Sequence, residues 1–238
     1  MGDFTRKKKK KMKITVPTLL VDKKKAIENI KFMSEKAKRH KLIFRPHLKT
    51  PQSVQAAKWY KEIGVNKATV SSFRMAEYFA GEGWDDITVA FPVNVLEIDR
   101  INSLAEKINL NILFTSHEAV SLLSEKLKFP IGFFIKIDTG MRRSGIEPDN
   151  FKMIDDVLNE ANRNNKLIFK GFLAHYGHTY KAKSTEEIKS IHEKSLLELK
   201  RLKDNYKRNF PDIIVSVGDT PSCSLMDNFD GADEIRPG

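Results

Sequence analysis

Eight short apolar or β-branched runs, alternating with longer amphipathic stretches, predict an α/β fold, specifically a (β/α)8 TIM barrel. Two further observations support this. The chain has 238 residues and a mass of 27.3 kDa, the size of one such barrel. No Pro-, Gly- or Ser-rich linker divides it into two units. An open, doubly wound sheet is the other architecture that this alternation allows, because strand count does not establish closure.

The elements read in order as follows. A short strand-like opening, Thr18 to Asp22, precedes a helix over Ala26 to Arg39. Strands are predicted at Leu42 to Leu48, Lys67 to Ser71, Ile87 to Phe91, Leu110 to Phe114, Ile131 to Asp138, Leu167 to His175, Ile213 to Val217 and Ala232 to Arg236. Between them lie amphipathic stretches. The clearest runs from Thr185 to Tyr206, where Ser184 and Glu187 form a capping box ahead of Ile188 and Ile191. The sequence stops at Glu234-Ile235-Arg236-Pro237-Gly238 with no further helix, so the eighth strand is expected to be uncovered and the barrel domain, residues 14–238, incomplete at its C-terminus.

Composition narrows the function classes. Hydrophobic residues make up 40% and charged ones 31%, a mix that folds rather than staying disordered. The formal charge is +11, but residues 1–13 carry +6 of it through Arg6, Lys7 to Lys11 and Lys13 against Asp3. These residues are expected to form a disordered basic tail, and the remaining +5 is ordinary. No zinc-finger spacing, RNP-like aromatic motif or basic heptad region occurs, so nucleic acid is not the expected partner. No apolar run approaches the ~18 residues of a membrane span, and no cleavage site follows the basic run. A single cysteine, Cys223, precludes an intramolecular disulfide, and the reducing cytoplasm is the default compartment.

Candidate chemistry lies at the strand-to-helix junctions, where barrels of this kind build their sites. The first strand ends Phe44-Arg45-Pro46-His47-Leu48-Lys49-Thr50, and a period of two places Arg45, His47 and Lys49 on one face. A lysine at the mouth beside other cations has a lowered amine pKa, which suits it to attack a carbonyl and form a Schiff base. A solvated strand-end lysine is the alternative. The fifth strand leads into Asp138-Thr139-Gly140-Met141-Arg142-Arg143-Ser144-Gly145, a tight loop in which Arg143 can donate to a phenolate or carboxylate. The sixth ends His175-Tyr176-Gly177-His178. Two histidines with no third ligand nearby suit stacking or hydrogen bonding better than a metal. The seventh runs into Gly218-Asp219-Thr220-Pro221-Ser222, where backbone donors and hydroxyls suit a phosphate, or form an ordinary helix cap.

Taken together, these junctions resemble the fold-type III pyridoxal-phosphate enzymes, whose barrel is the alanine racemase N-terminal domain. The wording is most similar to the D-threonine aldolase and D-serine dehydratase branch. The stretches that carry the resemblance are Pro17 to Asp22, Arg45 to Thr50, Asp138 to Gly145, Gly171 to His178, Ser216 to Ser222 and Glu234 to Gly238. The resemblance implies that Lys49 holds pyridoxal 5'-phosphate as a Schiff base and acts on the substrate Cα proton. It places Arg143 near the cofactor's phenolic oxygen with Lys136 in support, His175 near the ring, and Gly218, Asp219 and Thr220 at the phosphate. It implies a lyase acting on a small β-hydroxy D-amino acid, and a homodimer in the complete protein. A racemase, a pyridoxal-phosphate carrier without turnover and an inactive fragment are the alternatives. Two departures stand out: Pro51 follows Lys49-Thr50 where the branch often has His, and the β-domain that carries the ligands of a divalent zinc or manganese ion in relatives is expected to be missing, so no metal ligand is assigned.

Overall fold

The computed structural model describes residues 13–238. Residues 1–12, most of the expected basic tail, lie outside the described residues.

Eight parallel strands run β1 (Ile43–Phe44), β2 (Lys67–Val70), β3 (Asp86–Pro92), β4 (Asn109–Phe114), β5 (Ile131–Ile137), β6 (Leu167–Ala174), β7 (Ile214–Val217) and β8 (Glu234–Ile235). The hydrogen-bonded order is β1-β8-β7-β6-β5-β4-β3-β2, so only the β1–β2 seam lacks a ladder. An isolated parallel bridge between His47 and Thr69 closes it: Leu48 N donates to Thr69 O at 2.8 Å and Thr69 N to Pro46 O at 2.9 Å. The ring is therefore a barrel rather than the open sheet. The first strand is shorter than predicted because Pro46 has no N–H to give a ladder; pairing resumes at His47.

The helices are α1 (Lys23–Arg39), α2 (Val54–Lys61), α3 (Phe73–Ala80), α4 (Ile98–Ala105), α5 (His117–Ser124), α6 (Phe151–Ala161), α7 (Thr185–Tyr206) and α8 (Thr220–Leu225). All but α4 start on a side-chain cap: Asp22, Ser53, Ser72, Ser116, Asn150, Ser184 and Asp219 each accept from a backbone N–H of the first turn. For α7 the cap is the predicted one, with Ser184 Oγ accepting from Glu187 N at 3.2 Å, although the Glu187 carboxylate reaches back to Lys183 N rather than to Ser184.

Two expectations are corrected. Thr18 to Asp22 is not a strand but exposed coil ending in the α1 cap. The eighth strand is not uncovered, since Glu234 and Ile235 are fully buried. The helix that covers the β8–β1 seam comes from the other end of the sequence. Helix α1 packs on β1 and α2, and its buried Lys36 donates to Ser224 O at 3.2 Å, lies 3.4 Å from the Asp227 carboxylate and sits over the rings of Phe32 and Phe229. Lys36→Ala strips this tether and empties the buried space that the lysine stem fills between Phe32 and Phe229, so it is expected to destabilise the fold by about 2–3 kcal/mol in urea titrations; an unchanged midpoint would contradict this account of the seam.

The main core lies between strands and helices, with Phe133, Ile135, Phe172 and Val215 facing Val157, Leu199 and Leu202. Inside the barrel a small plug of Leu113, Phe134 and Leu173 shares the space with buried polar side chains, among them Arg45, Thr69, Lys136, Ser216, Glu234 and Arg236. The barrel interior is thus unusually charged compared with the branched apolar layers typical of the fold.

Candidate active site

The three side chains that period two puts on one face after β1 descend through the barrel. Lys49 stands exposed in the turn at the mouth. His47, half-buried below it, accepts from Lys49 N on Nδ1 at 3.4 Å. Arg45 is buried deeper, bound to Glu234 and Asp86.

Around Lys49 the mouth is crowded with positive charge. Partial desolvation, with the like charges of Arg143 and Arg236, pushes its amine below the ordinary lysine value. Burial lowers Lys136 to about 8, Arg143 and Arg236 acting in the same direction and Asp138 against them. The two amines are not equivalent, because Lys136 is buried and spends its ammonium on Ser144 O, whereas Lys49 faces the opening.

The Arg143 loop is fixed by one carboxylate. Asp138 accepts from Gly140 N (2.9 Å) and Arg142 N (3.0 Å) on Oδ1 and from Arg143 N (3.0 Å) on Oδ2. Burial alone would raise its pKa, but these three donors hold it below the usual carboxylate range. The loop rejoins β5 where Asp138 N donates to Ile146 O and Ile146 N to Lys136 O. At Gly145, with φ +127°, a Cβ would lie 2.7 Å from Asp138 N, so only glycine makes this return.

His175 hydrogen-bonds through Nδ1 to Gly218 O at 2.6 Å. A carbonyl only accepts, so Nδ1 carries the proton and Nε2 is left as an acceptor. Burial, with Arg236, Lys49 and Arg143 nearby, lowers His175 to about 4, and burial with Lys49, Arg236 and His175 lowers His47 to about 3. Both imidazoles are neutral at physiological pH. Because both pKa values are depressed relative to an unfolded histidine near 6.5, the unfolded chain binds more protons below that pH. Their stabilising contribution is complete above pH 6.5 and lost as pH falls towards 4. Urea midpoints are therefore expected to decrease over this window, and the slope to flatten in His47→Gln and His175→Asn; equal slopes in variant and parent would contradict it.

In the loop after β7, Gly218 lies so close to Arg236 that a Cβ would meet Arg236 O at 2.8 Å. Thr220 N donates to the Tyr180 hydroxyl at 3.1 Å, and Thr220 Oγ1 to Gly238 O at 3.0 Å. A Cβ on Gly238 would lie 2.7 Å from Thr50 Oγ1. Thr50, Thr220 and Gly238 thus form a small hydroxyl-and-backbone cradle one turn from Lys49. Asp219 is oriented differently from its neighbours: its buried carboxylate points into the protein, accepting from Ser222 N (2.8 Å) and Thr179 Oγ1 (2.7 Å), and burial raises its pKa. Its side chain shapes the loop from behind.

The predicted Lys49, Arg143 and His175 are thus brought to one mouth, with Gly218 and Thr220 at its rim. Arg236, Tyr180 and Gly238 join them without having been singled out. For Arg236 a signal was available, since period two puts Glu234 and Arg236 on one face of β8 as it does Arg45 and His47 after β1. Among the described residues no group of three His, Cys, Asp or Glu side chains is arranged to hold a metal, and no helix is long and apolar enough to cross a membrane.

Residues 21–238 match the family model for the alanine racemase N-terminal domain. The chain belongs to that family. The D-serine dehydratase of Dictyostelium discoideum is 28% identical over 250 residues, covering 94% of this chain and 62% of that protein. The D-threo-3-hydroxyaspartate dehydratase of Delftia sp. (strain HT23) is 24% identical over 230 residues, 94% of this chain and 60% of its own. Its solved structure superposes with a TM-score of 0.85 over 92% of this chain and 59% of that one. The D-threonine aldolase of Filomicrobium marinum gives 0.83 at 18% identity, over 94% and 62%. These likenesses establish the family fold, and the chain spans 62% and 60% of the length of these two curated dehydratases.

Proposed function

We propose that this chain is the cofactor-binding barrel of a pyridoxal-phosphate-dependent lyase acting on a β-hydroxy D-amino acid, with Lys49 as the amine that holds the cofactor. The observation that carries the reading is an exposed amine at the barrel mouth, lowered in pKa by desolvation and by Arg143 and Arg236. Nearby chemistry fits the cofactor. An aldehyde needs a partly unprotonated amine, a phenolate needs a cation such as Arg143, and a phosphate dianion suits the hydroxyls of Thr50 and Thr220. When bound, pyridoxal phosphate supplies an electron sink for a carbanion at the substrate Cα.

The chain's own residues would do the rest. The Lys49 amine, held below the ordinary lysine value by desolvation and by Arg143 and Arg236, would accept the proton at the substrate Cα. His175, neutral with its proton fixed on Nδ1, offers a lone pair and an aromatic edge rather than a charge. The Asp138 clamp holds the Arg143 loop above the mouth, and Lys136 supports that loop through Ser144 O. Gly218 allows the close approach of β8 that brings Gly238 to Thr220. Asp219 contributes through its backbone and its helix cap.

The substrate class rests on the relatives, two of which are dehydratases named for D-serine and D-threo-3-hydroxyaspartate. The test is 2-oxo-acid release from D-serine and D-threo-3-hydroxyaspartate by the chain loaded with pyridoxal phosphate, with L-enantiomers as controls. Release from D-enantiomers alone is expected. Racemisation without 2-oxo acid would replace the lyase reading with that of a racemase.

A further inference from the structure

Below the mouth, buried charges alternate in sign along one line of hydrogen bonds. Arg236 donates from Nη1 to Ser216 Oγ and from Nη2 to Ala174 O at 2.7 Å. Ser216 Oγ in turn donates to Glu234 Oε1 at 2.5 Å. The other carboxylate oxygen of Glu234 accepts from Arg45 Nε at 2.6 Å, and Arg45 Nη1 donates to Asp86 Oδ1 at 2.6 Å. Lys67, at the start of β2, pairs with the second oxygen of Asp86. From the site downwards the charges are Arg236, Glu234, Arg45, Asp86 and Lys67.

This line has a direction. Ser216 and Glu234 are register partners on β7 and β8, so their side chains share the interior face. The Ser216 hydroxyl has one proton, which goes to the carboxylate; its lone pair therefore faces Arg236. Glu234, Ser216, Arg45 and Arg236 are all buried, and a guanidinium so enclosed is held in place only by paired charge and fixed acceptors. Glu234 is the one carboxylate that bridges the site's guanidinium to the charges beneath.

We infer that Glu234 is a positioning residue for the site: through Ser216 it fixes the guanidinium of Arg236 beneath Lys49 and supplies the buried negative charge that balances it. Burial pulls Arg236 down to about 10, with Glu234 acting against it, so the guanidinium stays charged at neutral pH. Lys49 is influenced by Arg143 and Arg236, and His47 and His175 complete the ionisable groups around it; Glu234 acts on Lys49 only through Arg236.

The inference takes its functional meaning from the reading of Lys49 as the cofactor's amine, but its test uses the cofactor-free full chain, so the two fail separately. The pH dependence of Lys49 carbamylation by cyanate, read by peptide mass spectrometry, gives the midpoint of the amine. In Glu234→Gln the uncompensated Arg236 turns its field on the mouth, and the midpoint is expected to move down by about half a pH unit or more. In an Arg236→Met background the same Glu234→Gln change is expected to leave the midpoint in place. A purely structural Glu234 would give equal shifts, or none, in both backgrounds and would overturn the inference. If Glu234→Gln does not fold, Ser216→Ala carries the test. It keeps every charge, cuts the bridge and is expected to move the midpoint only while Arg236 is present; an unmoved midpoint would overturn the proposal.

Discussion

Gly171→Ala is expected to cost the barrel about 3 kcal/mol or more, and to lower the thermal midpoint by about 6–12 °C at this chain size. Gly171 sits at the irregularity between β5 and β6. Phe133 pairs with Phe169 and Phe134 with Gly171, so Lys170 is the extra residue of a bulge. The backbone there has φ +127°, a region that L side chains rarely adopt. A Cβ would lie 2.0 Å from Ile214 O and 2.7 Å from Ile214 N, the register partner across β6–β7. No side chain can yield to relieve this overlap; only the strand pairing can. Thermal unfolding followed by circular dichroism measures the effect, and a variant within 2 °C of the parent would show that the bulge adapts.

The second large effect separates two lysines. Lys49→Ala is expected to abolish covalent retention of pyridoxal phosphate and to lower 2-oxo-acid release by about a thousandfold or more, whereas Lys136→Ala retains the cofactor with weaker support of the Arg143 loop. Depressed pKa by itself would favour Lys136, which burial brings to about 8. Access decides otherwise, because Lys136 is enclosed and donates to Ser144 O while Lys49 stands open at the mouth. Cofactor absorbance after dialysis, compared between the two variants, reads the difference.

Much of the frame was legible in the sequence because its signals are local. The eight strands appear within a residue or two of the apolar runs except at the C-terminal end of β1, and α7 spans the predicted Thr185 to Tyr206 because its cap and periodicity are both contained in the segment. Closure was less legible. Pro46 cuts β1 to two residues, and the bridge from His47 to Thr69 that closes the barrel depends on two segments meeting in space. The cover over β8 was misread for the same reason: α1 lies more than 190 residues away along the chain, and only the buried Lys36 hints at its partner.

The site divides in the same way. Lys49, Arg143 and His175 follow the C-terminal ends of β1, β5 and β6, so topology gathers them at one mouth. Period two also places Arg45, His47 and Lys49 on one face, but it gives no depth, and Arg45 proves to be a partner of Glu234 and Asp86 rather than a member of the mouth. Period two puts Arg236 on one face with Glu234 as well, but nothing local in the sequence says that the pair lies beneath Lys49. Asp219 reads as a loop residue in sequence, and only packing shows its carboxylate turned towards Thr179 and Ser222.

The central claim is that Lys49 is the amine that holds the cofactor. Its most direct test is borohydride reduction of the chain after incubation with pyridoxal phosphate, followed by peptide mapping. The account predicts a single pyridoxyl label on the peptide containing Lys49. A label on Lys136 or on any other lysine, with Lys49 unmodified, would contradict it.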